Sequence, residues 1–153
     1  MNRPFEEFVT EFLRRHKSRI RLGEGRLVKV AYQRRLGRLF GEFNMDADLV
    51  LTDDAGRSFL VDTKYKVLDA KKRHAGLSQA DFYQMYAYGN AGKQRFDDIV
   101  LLYPASNVAE RTFRQDEVRL HVRQFDPRNI YDAEGRGPDS EKVVDELSRA
   151  LSV

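Results

Sequence analysis

Over the first sixteen residues the apolar positions Phe5, Phe8, Val9, Phe12 and Leu13 recur at helical spacing. This predicts an amphipathic helix over 4–16 with Pro4 at its first position. LVKVAYQRR (27–35) then alternates as a strand does. NMDADLVLTDD (44–54) and RSFLVDTKYKV (57–67) are two further strand-like runs with DDAG between them, the signal of a hairpin turn. After a polar loop over 71–76, Ser78 and Asp81 form a capping pair, and Leu77 and Phe82 are spaced as a hydrophobic staple. The helix they start covers 79–91 and ends near Gly89 and Gly92. FDDIVLLYP (96–104) is a continuous apolar run stopped by Pro104, as expected of a strand covered on both faces. EVRLHVRQF (117–125) alternates as a strand more exposed on one side. Pro138, Asp139 and Ser140 open a last helix with Val143, Val144, Leu147 and Leu151 in one stripe. The order is helix, three strands, helix, strand, strand, helix, which predicts an α/β fold with a mixed central sheet flanked by helices.

Composition narrows the class. At 153 residues, 41% hydrophobic and 33% charged, the chain is expected to form one folded domain over 1–153 rather than a disordered segment. The runs DLVL, FLV and IVLLY are too short to cross a bilayer. With no cysteine there is no disulfide framework, thiolate metal site or cysteine nucleophile. MNRPFEEFVT has two glutamates where a secretory leader carries a long apolar stretch, so a cytoplasmic setting is expected. Charge is unevenly spread: residues 1–40 hold 11 Arg and Lys against 4 Glu, a balance of +7, and the remainder carries −4. A basic front of this kind can neutralise nucleic-acid phosphates, with Arg34 and Arg35 as candidates, or form a solvated face whose counter-charges arrive on folding.

The hairpin carries the chemistry. With its turn centred on Ala55, facing residues have numbers that add to 110, so Asp48 faces Asp62, and opposed β-carbons lie about 5 Å apart. A bulge at Gly56 would shift that register by one. Lys64 points to the same face as Asp62 because side chains alternate along a strand. Two converging carboxylates repel, and a hard divalent ion relieves this. Asp48, Asp62 and the backbone carbonyl of Thr63 make a donor set suited to Mg²⁺, with phosphodiester hydrolysis as the natural chemistry. The same residues can also form an ordinary Asp–Lys salt bridge on an edge strand.

The constellation resembles the PD-(D/E)xK nuclease superfamily: MDADLVL supplies Asp48, VDTKYK supplies Asp62 and Lys64, and QMYAY supplies the Q-x-x-x-Y pair Gln84 and Tyr88 of its RecB-like branch. Together with FEEFV and SQADFYQMYAYG, these segments are similar to the nuclease domain of the McrC family, the cleavage subunit of modified-cytosine restriction systems, over about residues 5–104. The resemblance implies a restriction-endonuclease-like α-β-β-β-α-β core and Mg²⁺-dependent DNA cleavage, with Mn²⁺ as the alternative ion. It implies Asp48 and Asp62 as metal-binding acids, Lys64 as the catalytic lysine and Glu6 as the supporting helix glutamate. On a helical wheel Glu6 borders the apolar stripe and can reach inward, whereas Glu7 falls nearly opposite it. Gln84 and Tyr88 share a stripe that faces the cleft or, without the resemblance, a solvated flank. Ala47 stands where the motif name has proline, which removes a backbone constraint and no ligand.

Members of that family also contact a GTP-hydrolysing AAA+ partner through an additional N-terminal part. This chain has no G-x-x-x-x-G-K-S/T loop of its own to hydrolyse nucleotide. Cutting both strands of DNA needs two active sites, from a homodimer or a partner-driven assembly. Two other readings stay open: a non-catalytic DNA-binding or scaffold module of an AAA+ restriction assembly, and a DNA repair nuclease of the same superfamily. Lys71, Lys72 and Arg73 are candidate contacts to the DNA backbone or a solvated loop. His16, His74 and His121 are too scattered to suggest a metal site, and Ser78 reads as a cap rather than a nucleophile.

Overall fold

The computed structural model describes residues 3–153. Seven strands form one mixed sheet in the order β1-β2-β3-β4-β5-β7-β6. Helix α1 (Arg3–His16) leads through a 3₁₀ turn into β1 (Arg21–Leu22), β2 (Gly25–Leu39), β3 (Phe43–Asp53) and β4 (Ser58–Thr63). Then come α2 (Gln79–Asn90), β5 (Asp98–Pro104), β6 (Arg111–Gln115), β7 (Val118–Phe125) and α3 (Ser140–Leu151). The β4–β5 and β5–β7 pairs are parallel, and the other pairs are antiparallel.

The two faces of the sheet bury two apolar layers. Val9 and Leu13 of α1 and Val143, Val144, Leu147 and Leu151 of α3 pack on Leu49, Leu51, Phe59, Val61, Val100 and Leu102. On the other face Met85 and Tyr88 of α2 pack on Met45, Val50, Leu60, Ile99, Leu101 and Tyr103. Strand β5 is buried from Asp98 to Tyr103, which explains its near-continuous apolar run. Local signals hold where they rest on short-range chemistry. The Ser78 side chain accepts the Asp81 N–H, and Asp139 caps α3 by accepting from the amides of Glu141 and Lys142.

The β3–β4 turn sets the geometry of everything that follows. One oxygen of the Asp53 carboxylate accepts the N–H groups of Ala55 (3.0 Å) and Arg57 (2.9 Å), and Gly56 takes the positive φ (85°) the turn needs. The register is Leu49↔Val61, Val50↔Leu60, Leu51↔Phe59 and Thr52↔Ser58. Facing numbers add to 110, so no bulge at Gly56 shifts the pairing.

Four features depart from the sequence expectation. Strand β2 runs from Gly25 to Leu39 rather than over 27–35, because bulges between Leu27 and Lys29 and between Arg35 and Gly37 break its alternation without ending its pairing. The run expected over 57–67 stops at Thr63. Two strands went unpredicted: β1 is two residues long, and β6 is an outer strand whose five residues are all exposed except half-buried Phe113, so neither shows an apolar rhythm. The order is therefore helix, four strands, helix, three strands, helix.

Candidate functional site

The site forms where β4 ends and β3 continues past it. Pairing between the two strands begins at Leu49↔Val61, and one step further the Asp48 side chain takes over the role of the ladder. Its Oδ2 accepts the Thr63 backbone N–H (2.9 Å) and the Thr63 hydroxyl (3.1 Å). Asp48 also marks a change of layer. Met45 and Ala47 pack with the α2 layer, while Leu49 and Leu51 pack with the α1/α3 layer. A regular strand would keep all four on one face. On β2 the residue between the pairs Tyr32↔Leu49 and Arg34↔Ala47 is Gln33, which has a positive φ of 47°. The two strands therefore bend together, and Asp48 sits half-buried at the bend.

Asp62 is buried at 8% exposure. Burial first, and then the charge of Asp48, push its carboxyl up from 3.8 to about 7, against the opposing pull of Lys64. Nζ of Lys64 lies 2.8 Å from Asp62 Oδ2. This ion pair is the contact of the buried Oδ2, which has no further hydrogen-bond donor among the described residues. Lys64 also reaches Oδ1 of Asp81 at 3.2 Å. Burial alone would pull its ammonium down, but Asp62 and Asp81 outweigh it, and the net shift is upward. Lys64 therefore holds its proton at neutral pH.

Helix α2 contributes one stripe to this cluster. Asp81, Gln84 and Tyr88 are spaced three and four apart and so share a side of the helix. Gln84 is exposed and donates through Nε2 to the hydroxyl of buried Tyr88 (3.0 Å). Burial raises the Tyr88 phenol, with Asp62 adding to it and the Gln84 hydrogen bond opposing. From β5, fully buried Tyr103 places its hydroxyl in the field of Asp81 and Asp62 without a hydrogen-bond partner among the described residues, and its phenol is raised, by burial first. In the sequence Asp81 stands out only in the capping pair with Ser78, and Tyr103 does not stand out. Asp81 had an available signal, since it extends the Gln84/Tyr88 stripe one turn back. Tyr103, inside an apolar run, had none.

The remaining candidates fall at various distances from this cluster. Glu6 is buried and Glu7 exposed, the orientation the helical wheel expects. Oε1 of Glu6 faces the side chain of Gln33 at 3.4 Å, so it connects to the bend opposite Asp48 rather than joining the two acids. Among the described residues no three His, Asp or Glu side chains are grouped to hold a metal. The oxygens gathered at this end of β4 are those of the Asp48 and Asp62 carboxylates and the neighbouring backbone, with Asp62 Oδ2 ion-paired to Lys64. Arg34 and Arg35 are exposed on β2, with Arg35 paired to Asp46. Lys71, Lys72 and Arg73 are exposed in the segment before α2. Among the described residues no helix is long and apolar enough to cross a membrane.

A mixed sheet that gathers two acids and a lysine where β4 ends defines the class as an α/β protein with a polar cluster at one end of its sheet. The family model for the McrBC 5-methylcytosine restriction system component matches residues 1–104, about two thirds of the chain, and the chain belongs to that family. No curated protein sequence matches it. The fold is similar to a chain in the refined half-complex from the tetradecameric assembly of Thermococcus gammatolerans McrB AAA+ hexamers with bound McrC. The TM-score is 0.63 at 17% identity, over 99% of this chain and 32% of that one. The protein therefore spans about a third of that neighbour's length, and the likeness is one of fold.

Proposed function

We propose that this chain is a McrC-like nuclease domain of the PD-(D/E)xK, QxxxY type that hydrolyses DNA phosphodiester bonds with Mg²⁺, or with Mn²⁺ in its place. The observation that carries the reading is Asp62. It is a buried carboxyl pushed up to about 7 beside a second acid, with no donor to its buried Oδ2 beyond Lys64 among the described residues. Such a group is costly to the fold in its charged form, and a bound cation between the two acids would offset that cost. Asp48, Asp62 and the Thr63 carbonyl would hold the ion, which when bound polarises a phosphoryl oxygen and acidifies a bound water. Lys64, protonated, orients the attacking water or stabilises charge gathering on the phosphate, and its proton-holding state argues against a role as the base. Asp81 fixes the ammonium from the α2 side. Gln84 and Tyr88 wall the cleft, and Glu6 supports it through Gln33. Arg34, Arg35, Lys71, Lys72 and Arg73 are the proposed contacts to the DNA backbone.

By the same reading the partner is a McrB-like GTP-hydrolysing AAA+ protein, and double-strand cutting draws on two copies of this site. The test is incubation of plasmid with the protein, with and without Mg²⁺ or Mn²⁺, alone and with such a partner, beside Asp62→Asn. Metal-dependent nicking or linearisation by the wild type and not by the variant supports the reading. Metal-independent cutting, or equal cutting by both, overturns it. A second reading, a DNA-binding scaffold without catalysis, is favoured by one observation: Lys64 already bridges Asp62 and Asp81 in a closed ion network. It predicts no Mg²⁺ binding by calorimetry, while the nuclease reading predicts Mg²⁺ binding with proton release as Asp62 ionises.

A further inference from the structure

Beyond the site, β2 and β3 continue as an arm whose tip carries two bare phenylalanines. Phe40 is 88% exposed and Phe43 67% exposed. The turn is closed by the Glu42 N–H on the Leu39 carbonyl at 3.1 Å, with Phe40 (φ 54°) and Gly41 (φ 70°) both in the left-handed region. Glycine takes that conformation freely and asparagine readily, while a bulky side chain is strained there. Phe40 is thus held in an unfavourable backbone conformation and points an apolar ring at water, and the fold draws no benefit from either.

The arm's root is firm. Leu36 and Met45 are buried in the α2 layer, and the Lys93 N–H donates to the Leu36 carbonyl (3.2 Å). The arm carries three arginines against two acids, a balance of +1. Arg34 and Arg38 are exposed and have no acidic partner among the described residues, Arg35 is paired with Asp46, and Glu42 is the acid at the tip. The tip also lies at the same end of the sheet as Asp62. Phe43 is five residues from Asp48 along β3, roughly 17 Å at strand rise, which equals about five base-pair steps of 3.4 Å.

An anionic rod with apolar faces stacked inside it matches both halves of this pattern. We infer that the β2–β3 tip is a wedge for duplex DNA: Arg34 and Arg38 contact phosphates, and Phe40 with Phe43 inserts at a base step about five base pairs from the phosphate held at Asp48 and Asp62. The inference rests on the nuclease reading and adds to it a second, non-catalytic DNA contact that fixes where the duplex bends.

The experiment titrates the protein, without divalent ions, into 30-base-pair duplexes carrying 2-aminopurine at successive positions, with affinity followed by anisotropy over a range of salt. With the wild type, fluorescence rises at one or two adjacent positions. The Phe40→Ala/Phe43→Ala variant abolishes the rise and weakens binding about tenfold, with its salt dependence unchanged. Arg34→Ala/Arg38→Ala instead flattens the salt dependence by about one to two counterions. Full affinity and an intact fluorescence rise in the phenylalanine variant overturn the wedge. So does a variant that loses only self-association or binding to an AAA+ partner, which makes the tip a protein contact. A wild type that binds and cuts DNA while the phenylalanine variant matches it sinks the wedge alone. A wild type that neither binds nor cuts sinks the nuclease reading together with it.

Discussion

Asp62 and Asp98 sit on neighbouring parallel strands, both buried and both beside a cation, yet their carboxyls are driven in opposite directions. Asp98 has every acceptor used. Arg119 grips both oxygens at 2.8 Å through Nε and Nη2, and His121 Nε2 meets Oδ1 at 2.8 Å. The Thr112 hydroxyl holds the other ring nitrogen at 2.9 Å. Burial works to raise the Asp98 carboxyl, but the His121 and Arg119 hydrogen bonds overcome it and hold the group well below the usual carboxylate range. Asp62 has an ammonium nearby but few directed donors and a second acid for a neighbour, and burial wins. Donors, rather than mere proximity of positive charge, separate a carboxylate held ionised from one pushed towards its neutral form. Position agrees, since Asp98 opens β5 and Asp62 lies near the carboxyl end of β4, the end at which open α/β sheets bind ligands.

The contrast breaks most visibly in activity. Asp62→Ala should lower plasmid cleavage by about 10³-fold or more, and Lys64→Ala by about 10²-fold or more, with far-UV circular dichroism showing both still folded. Comparable cleavage by either variant would remove the distinction between the two aspartates.

Stability should break it the other way. Asp98→Asn weakens the hydrogen bonds to Arg119 and His121 and, with the Arg119 guanidinium 41% exposed to water, should cost about 1–2 kcal/mol in urea unfolding. The folded carboxyl lies below its ordinary 3.8. The wild-type advantage is therefore complete above that pH and fades as pH falls through the folded value.

Asp62 reverses the sign. Its folded value of about 7 lies above 3.8, so the native state binds the extra proton and wild-type stability declines as pH rises between those values. Asp62→Asn should match the wild type near pH 4 and melt a few degrees higher at pH 8. Mg²⁺ should then raise the melting temperature of the wild type and not of the variant. The smallest effect belongs to Asp81→Asn. It removes one of the two carboxylates on Lys64 and should change cleavage by less than about tenfold and stability by less than about 1 kcal/mol. A larger loss would make Asp81 part of the reacting centre rather than a brace for Lys64.

Much of the fold could be read from local signals. The α1 stripe, the Ser78 and Asp139 caps and the Asp53 turn each depend on residues within a few positions of one another. The turn in turn sets the β3–β4 register up to Leu49↔Val61, one step short of Asp48 and Asp62. What went unread depends on partners far along the chain. β6 has no apolar rhythm because one of its edges is free. β2 hides its length behind two bulges. Asp81 looked like half of a capping pair because its salt bridge crosses from α2 to the end of β4.

Sequence alone was enough to set the β3–β4 register from Leu49↔Val61 to Thr52↔Ser58, because a two-residue side-chain period and one turn leave little freedom in where facing residues stand. Only the assembled layers decided which carboxyl would be starved of donors. Burial, the second acid and the packing of α2 act through space, and together they leave Asp62 with the Lys64 ammonium alone against two opposing influences, while Asp98, one strand away, is held by Arg119 and His121.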